Sequence, residues 1–535
     1  MKKIATIIVS LALSVFSSVQ VFADKESTVK IDMDKTYQTI DGFGASYTWY
    51  SDWLSRSEAA QQGFDWIFND AKFNIIRFRD LNCVYTNSYN DVLEDYKANY
   101  YLYYNAAVER GIDPLVLVTS WGEYDRSLPW VEFVENPENS YSYYTLAKDE
   151  NGEYMYGALA DFCVESIKIF FDAGIPVNYF SITNEAELQD SHLDEQGGSR
   201  DSAGFFFGKE ETDYQAAYWK AHIAVYEAFQ KAFGERAPQL MGAETMAAYP
   251  DLLHGYLDPL LESHPESFEI VAHHLYGTDL SEKNLTAVGQ LFPNYKIWQT
   301  EYYNADFFGN AEIILDDLVY EGVNAYLYWD GVWPNGALMD VSISEDGTTT
   351  LTRRGNHYIM SHFSAFIDRG YQRVDVQDDL NTKFAAFKSP DESKLIVIAM
   401  NPTQNSESLN IDLGGKNISS SKVYISTENV EDSSKNKYMQ DSGEYHNDLV
   451  IPGRSLTTIE IDLTDLSSDL TETTEAETDP APASSDSTEP DLAPVSSNLA
   501  DNTDDENKNT GLMIDSVPLV FAAAVAAIAG ARRRK

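Results

Sequence analysis

The sequence predicts an α/β fold: a (β/α)8 barrel of the TIM type with a packed antiparallel β-sandwich as its side domain. Two patterns carry this. Eight short apolar strands alternate with longer amphipathic stretches between Thr39 and Gly331, and beyond Phe366 short alternating strands follow one another between Gly, Pro, Asn and Ser. Strands alternating with helices imply parallel pairing and right-handed crossovers, and eight such units close a barrel. A doubly wound open sheet is the alternative, but no Gly-rich phosphate loop follows any strand.

The strands read "TIDGFGAS" (Thr39 to Ser46), "FNIIRFRD" (Phe73 to Asp80), "DPLVLVTSW" (Asp113 to Trp121) and "NYFSITNE" (Asn178 to Glu185). Then come "PQLMGAET" (Pro238 to Thr245), "EIVAHHLYG" (Glu269 to Gly277), "YKIWQTEYY" (Tyr295 to Tyr303) and "NAYLYWDG" (Asn324 to Gly331). Helical spacing separates most of them, as in "YKANYYLYYNAAVERG" and "LADFCVESIKIFFDAG", each closed by a glycine. The sandwich strands are "KFAAFKSP", "KLIVIAMNP", "SLNIDLGG", "KVYISTE" and "LTTIEIDL". The alternating "TVKIDMDKTYQ" before the first barrel strand can add to them. With no linker at the junction, rigid packing on the barrel is expected rather than a freely tethered carbohydrate-binding module.

Residues 1–23 read as a secretory signal peptide: a basic start, an apolar run shorter than the ~20 residues of a spanning helix, and a small-residue end. The remaining boundaries are 24–40 for the N-terminal contribution to the sandwich, 41–365 for the barrel and 366–463 for the sandwich. Residues 464–506 are an acidic Ser/Thr/Pro linker without Lys or Arg, too poor in apolar surface to fold. Residues 507–535 run from "NKNTG" through an apolar stretch to Arg532-Arg533-Arg534-Lys535, which resembles the cell-wall sorting signal of Gram-positive surface proteins. Lys508 stands where that signal has Pro, so a plain C-terminal membrane anchor is the alternative to sortase cutting at Thr510. Either reading puts the body of the protein outside the cell, with sortase and peptidoglycan as partners in the first.

Over 535 residues, 38 Lys and Arg face 85 Asp and Glu, a formal charge of −47. That sign excludes a nucleic-acid binder, which needs a basic face to displace counterions. The two cysteines, Cys83 and Cys163, are too few for a disulfide framework or a Cys-rich metal site, and a single bridge between them is left open. A monomer without metal or cofactor is expected.

Active sites of such barrels lie at the C-terminal ends of the strands. Those ends carry Arg77, Trp121, Asn184, Glu185, Glu244, His274, Tyr276, Glu301 and Trp329. Glu185 and Glu301, on strands four and seven, are the pair of carboxylates that retaining glycoside hydrolysis needs about 5–5.5 Å apart. Asn184 is placed to bond a sugar 2-hydroxyl, and Trp298 with Tyr302 and Tyr303 to keep water from Glu301. Trp121, Trp329 and Trp333 offer faces for sugar rings. Adjacent on a strand, His273 and His274 face opposite ways, so only one enters the barrel. Glu123, Asp125, Arg126, Glu187 and Glu244 read as solvated charges.

"QTIDGFGAS", "NIIRFRD", "ITNE", "HHLYG", "WQTEYY" and "RRGNHYIMSHFSAFIDRGYQRVD" together resemble glycoside hydrolase family 30, from about Asp32 to Asp462. The resemblance implies a retaining β-glycosidase, with Glu185 as acid/base and Glu301 as nucleophile. It also implies Arg77 and Tyr276 as the groups that orient Glu301. It spans xylanases, glucosylceramidases and enzymes cutting β-1,6 glucans or galactans. The glucuronic-acid-dependent xylanases of that family carry an Arg beyond strand eight and usually a Pro after "NE". Here "YLYWDGVWPNG" holds Asp330, whose charge would oppose a uronate, and Ala186 follows Glu185. The expected substrate is a β-linked plant cell-wall polysaccharide, xylan first, with little dependence on a glucuronic acid branch. Arg353 and Arg354 are the candidates to replace the missing Arg. The alternatives are a β-1,6-glucanase, β-1,6-galactanase or β-glucosidase type, or a non-catalytic glycan-binding surface protein, which would not need both glutamates.

Overall fold

In the computed structural model the described residues are 26–83, 88–120, 128–135, 142–188, 204–304, 306–334 and 337–464. The signal-peptide, linker and sorting-signal readings, together with Trp121, Glu123, Asp125, Arg126 and the Cys83 side chain, lie outside them. Cys163 is a buried free thiol on the helix Tyr156–Asp172.

Eight parallel strands close a barrel in chain order: Gly42–Tyr47, Ile75–Arg79, Leu115–Thr119, Tyr179–Ser181, Gln239–Thr245, Phe268–His274, Lys296–Glu301 and Ala325–Tyr328. Each falls within a stretch that the apolar pattern marks, except that the first runs on to Tyr47 and the sixth starts at Phe268. The strands are buried on both faces, as a parallel sheet wrapped in helices must be. Ile75, Leu117, Met241, Ile270, Ala272, Trp298, Ala325 and Leu327 fill the barrel interior, while the alternate side chains join a larger outer core with the helices. Trp298 belongs to this floor: its indole donates to Asp41 at 2.9 Å and its ring packs on Tyr179. It therefore lies below Glu301 rather than shielding it, because three residues along a strand is a rise of about 10 Å.

The long helical run after strand two is broken into Tyr89–Ala98 and Tyr100–Glu109. Between them the Asn99 side chain bonds Ser51 and Ser55, which holds its backbone out of helical geometry. Gly111 and Gly174 end their helices at φ 78° and 82°, in the left-handed region where a Cβ is penalised. Two hairpins that the barrel pattern does not anticipate rise from the loops, Val131–Glu135 with Ser142–Leu146 after strand three and Met339–Ile343 with Thr349–Arg353 after strand eight.

The side domain is mostly antiparallel, and its nine strands form one continuous hydrogen-bonded sheet. The strand Glu26–Thr39 inserts between Gln372–Gln377 and Glu407–Asp412, pairing in parallel with the latter. Both chain ends thus build the domain, as expected. Alternation along Lys394–Asn401 shows how it is mounted. Leu395, Val397 and Ala399 face a core within the domain, whereas Ile396, Ile398 and Met400 join the barrel's outer core with Phe363 and Phe387. The two domains share apolar surface, so the side domain is fixed to the barrel rather than tethered.

His362, on the last barrel helix (Gly355–Ser364), fits between two sheet strands and bonds Thr458 at 2.8 Å and Ser426 at 2.7 Å. Burial lowers its pKa from 6.5 to about 3. The unfolded chain takes up this proton below pH 6.5 and the folded one does not until about pH 3, so the contribution of His362 is complete above 6.5 and is lost as pH falls. His222, lowered to about 4, and His357, lowered to about 3, act in the same direction. Buried carboxyls with raised pKa act in the opposite sense, so the variant isolates the histidine. His362→Gln should change the pH slope of the urea-unfolding stability between neutral pH and about pH 4 by one proton relative to wild type. An unchanged slope would mean that His362 is protonated in the folded protein.

Candidate active site

The centre of the barrel mouth is Arg77, from strand two, with no exposed surface. Its Nη1 donates to Glu301 Oε2 at 2.7 Å and to Ser46 Oγ at 3.1 Å, and its Nη2 to Asn184 Oδ1 at 2.7 Å. Nη2 also lies 3.2 Å from Glu244 Oε1, and Nε donates to Thr119 Oγ1 at 3.2 Å. One planar guanidinium thus ties the ends of strands one, two, three, four, five and seven, which only a fork of several donors can do.

Glu301 ends strand seven and is 4 % exposed. Its Oε2 is held by Arg77. Glu185 follows the short fourth strand at a left-handed φ of 52°. Its N–H donates to the Glu244 carbonyl at 3.0 Å, which pins this unfavourable turn. Burial raises the Glu185 pKa, opposed by the hydrogen bond and charge of His274. A carboxylate oxygen of Glu185 and one of Glu301 lie within 4.8 Å of each other, close to the roughly 5–5.5 Å of a retaining pair.

His274 stands between the two. Its Nδ1 is 3.0 Å from Glu185 Oε1, and its Nε2 is 3.9 Å from both Glu244 Oε1 and Glu301 Oε2. Burial works to lower its pKa, but the surrounding carboxylates, Glu301 first, raise it to about 10. His273 points the other way, as alternation requires, and meets Glu321 on the helical side at 2.5 Å. Glu185, His274 and Glu301 are the trio of potential metal ligands that comes together among the described residues. The hydrogen bond between His274 and Glu185 gives the trio a path to hold or move a proton. Tyr276, two residues on, is half-buried with its hydroxyl out of solvent; desolvation and then the charges of Glu301 and Glu185 hold its phenol protonated.

Arg77, Asn184, Glu185, His274, Tyr276 and Glu301 therefore converge as the strand ends imply. Trp329 is 8 % exposed and packs in an aromatic group with Trp49 at 5.7 Å and Trp333 at 5.8 Å. The Arg79 guanidinium lies 4.2 Å over the Trp49 ring. Trp49, Ser46 and Thr119 escape a reading limited to charged and strand-terminal residues; Ser46 and Thr119 are small polar groups whose value lies in a partner across the barrel.

Three readings are corrected. Glu244 is not solvated: it has no exposed surface, and although burial opposes ionisation, Arg77 and His274 bring its pKa down to about 2. Glu187 is not solvated either. Burial pushes it up to about 7, and its Oε1 accepts the Met246 N–H at 2.7 Å. Asp330 does not face the mouth as a free charge. It is 1 % exposed, accepts from Thr48 at 2.5 Å and from the Val332 N–H, and is raised to about 7 by burial.

No protein-family model matches the chain. Over 170 residues it is 28% identical to the Glucuronoxylanase XynC of Bacillus subtilis (strain 168), a match covering 29% of this chain and 38% of that protein. The chain thus matches well under two thirds of that relative's length. The catalytic domain of the GH30 xylanase C from Talaromyces cellulolyticus superposes with a TM-score of 0.61 at 19% identity, covering 81% of this chain and 99% of that one. The endo-beta1,6-glucanase BT3312 superposes with a TM-score of 0.60 at 17% identity, covering 81% and 94%. The fold is therefore the barrel-plus-sheet architecture found in family 30 glycoside hydrolases.

Removing the Arg77 guanidinium would leave Glu301 and Glu244 buried with only the more distant His274 as counter-charge. Arg77→Leu should lower the unfolding free energy by about 3–5 kcal/mol, read from the urea midpoint. A midpoint equal to wild type would mean that the strand ends hold together without it.

Proposed function

We propose that the protein is a retaining β-glycosidase acting on β-linked plant cell-wall polysaccharide, with xylan as substrate. The observation that carries this reading is the Glu185–Glu301 pair, with carboxylate oxygens within 4.8 Å, Arg77 on one member and a raised pKa on the other. Glu301 attacks the anomeric carbon while Glu185 gives its proton to the leaving oxygen. Glu185 then takes a proton from water as that water displaces Glu301 from the glycosyl-enzyme. Arg77 occupies Asn184 Oδ1, so the Asn184 amide N–H is directed to the sugar 2-hydroxyl. Trp329, Trp49 and Trp333 supply apolar faces for flanking sugars.

Xylan is favoured by the glucuronoxylanase relative. Independence from a glucuronic acid branch is favoured by the cations beyond strand eight. Arg353 is paired with Asp70 and lies over Trp66, and Arg354 is paired with Asp340. The burial of Asp330 removes repulsion from the argument and leaves it on these occupied arginines.

The test is release of reducing ends from xylan, glucuronoxylan, β-1,6-glucan and galactan, with Glu301→Ala alongside. Xylan should be cut, and removal of its acid branches should change kcat/KM by less than tenfold, below the roughly 1.5–3 kcal/mol of one charge-assisted contact. Glu301→Ala should be nearly inactive, and azide should restore turnover of an activated β-glycoside with inverted product. Full activity in that variant would remove Glu301 from the nucleophile's role, and silence across the panel would favour a binding protein.

We further propose that residues 1–23 direct export and that residues 507–535 hold the protein at the cell surface, by sortase cutting at Thr510. The mature protein should co-purify with peptidoglycan and resist detergent. Release by mild detergent would instead assign the apolar tail to the membrane.

A further inference from the structure

We infer that Glu244, on strand five, is a positioning residue that keeps the acid proton on Glu185, by supplying the buried negative charge that matches Arg77 and His274. The inference rests on the glycosidase reading of Glu185 and Glu301. Its first support is the way the strand is bent to deliver this side chain. Met241 faces the barrel interior, so strict alternation would turn Ala243 inward and Glu244 out. Instead the pairing with strand six slips between Ala243 and Thr245, and both Ala243 (φ 67°) and Glu244 (φ 43°) take left-handed backbone. The bulge sends Ala243 into the outer core and brings Glu244 inside. Two adjacent non-glycine residues in this region are strained, and the surroundings must hold them in place.

The second support is what the carboxylate meets there. Oε1 is 3.2 Å from Arg77 Nη2 and 3.9 Å from His274 Nε2, and Oε2 accepts from Thr119 Oγ1 at 3.0 Å. Its own carbonyl receives the Glu185 N–H. One residue therefore fixes the acid's backbone and both cations beside it, while neither its oxygens nor its carbonyl is left for a substrate.

The third support is the charge count. The groups facing Glu185 are Arg77 from strand two, Glu244 from strand five, His274 and Tyr276 from strand six, and Glu301 from strand seven. Glu187 faces it from its own loop, and Asp330 lies beyond Glu301 and Arg77 from the loop after strand eight. The cations are Arg77 and His274, and the anions paired to them are Glu301 and Glu244. Counted with these four partners alone, Glu185 is matched only while it carries its proton, so ionising it adds a negative charge to a buried site. Without the Glu244 charge the same cluster starts at plus one, and losing the Glu185 proton brings it to neutrality. The groups titrate as a unit, and that first proton then leaves at lower pH.

The experiment compares wild type, Glu244→Gln and Glu244→Asp, with thermal unfolding as the check on folding. In Glu244→Gln the alkaline limb of the kcat/KM profile on xylan should move to lower pH by about 1 unit or more. The His274 imidazole resonance, followed by nuclear magnetic resonance without substrate, should titrate lower by a similar amount. Glu244→Asp, which keeps the charge, should return the limb toward wild type. A folded Glu244→Gln that loses rate while both titrations stay in place has lost only structure, and the inference is overturned. If Glu244→Gln does not fold, wild type still decides, since His274 must remain protonated well above neutral pH and a neutral imidazole there overturns the inference. Wild type that cuts no glycan overturns the hydrolase reading, while the His274 titration still reports on the charge of Glu244.

Discussion

The site depends on one buried cation. Arg77 enters the barrel with its guanidinium wholly removed from water, and such a charge is tolerable only if every face of the fork finds an acceptor. Its acceptors come from five other strands, which makes the barrel's closure and the site's geometry a single problem. Ser46, Thr119, Asn184, Glu244 and Glu301 are where they are because the strands are in register, and their bonds to Arg77 in turn hold the strand ends together. The apolar floor of Trp298, Met241, Ile270 and Leu327 lies beneath and keeps this network at the mouth.

Above that floor the charges are sorted by neighbour. Glu301 receives a guanidinium, Glu244 receives both cations, and Glu185 receives a single bond from His274 against the full effect of burial. Glu185 and Glu244, carboxyls of the same chemistry, thus differ in proton affinity by environment alone. The backbone contributes as well. Left-handed turns at Glu185 and Glu244, joined by a hydrogen bond, replace regular strand at the point where the two side chains must converge.

The side sheet stabilises the barrel from outside. Its outward-facing residues complete the hydrophobic core around the first strand and the last helix, and His362 spans the seam with both ring nitrogens engaged. Because the strand Glu26–Thr39 runs directly into the first barrel strand, the sheet anchors the chain on both sides of the barrel. The mouth loops, including the hairpin after strand eight and the Trp49, Trp329 and Trp333 group, are thus carried on a braced barrel.

The sequence by itself marked the eight barrel strands, six of the nine strands of the side sheet (Gln372–Gln377, Lys437–Asp441 and Leu449–Ile451 were not among them), and the strand-end residues Glu185, Glu301, Arg77, Asn184, His274 and Tyr276. Each follows from periodicity or from position at a strand end, and those are properties of a few neighbouring residues. The opposite facing of His273 and His274 was legible for the same reason. What only the tertiary structure decided was which charges are buried and with whom. Glu244, Glu187 and Asp330 look like surface acids in the sequence because nothing local marks a carboxylate as paired. The bulge that turns Glu244 inward depends on the neighbouring strand. Its counter-ions, Arg77 and His274, lie far from it along the chain and meet it only because the barrel closes.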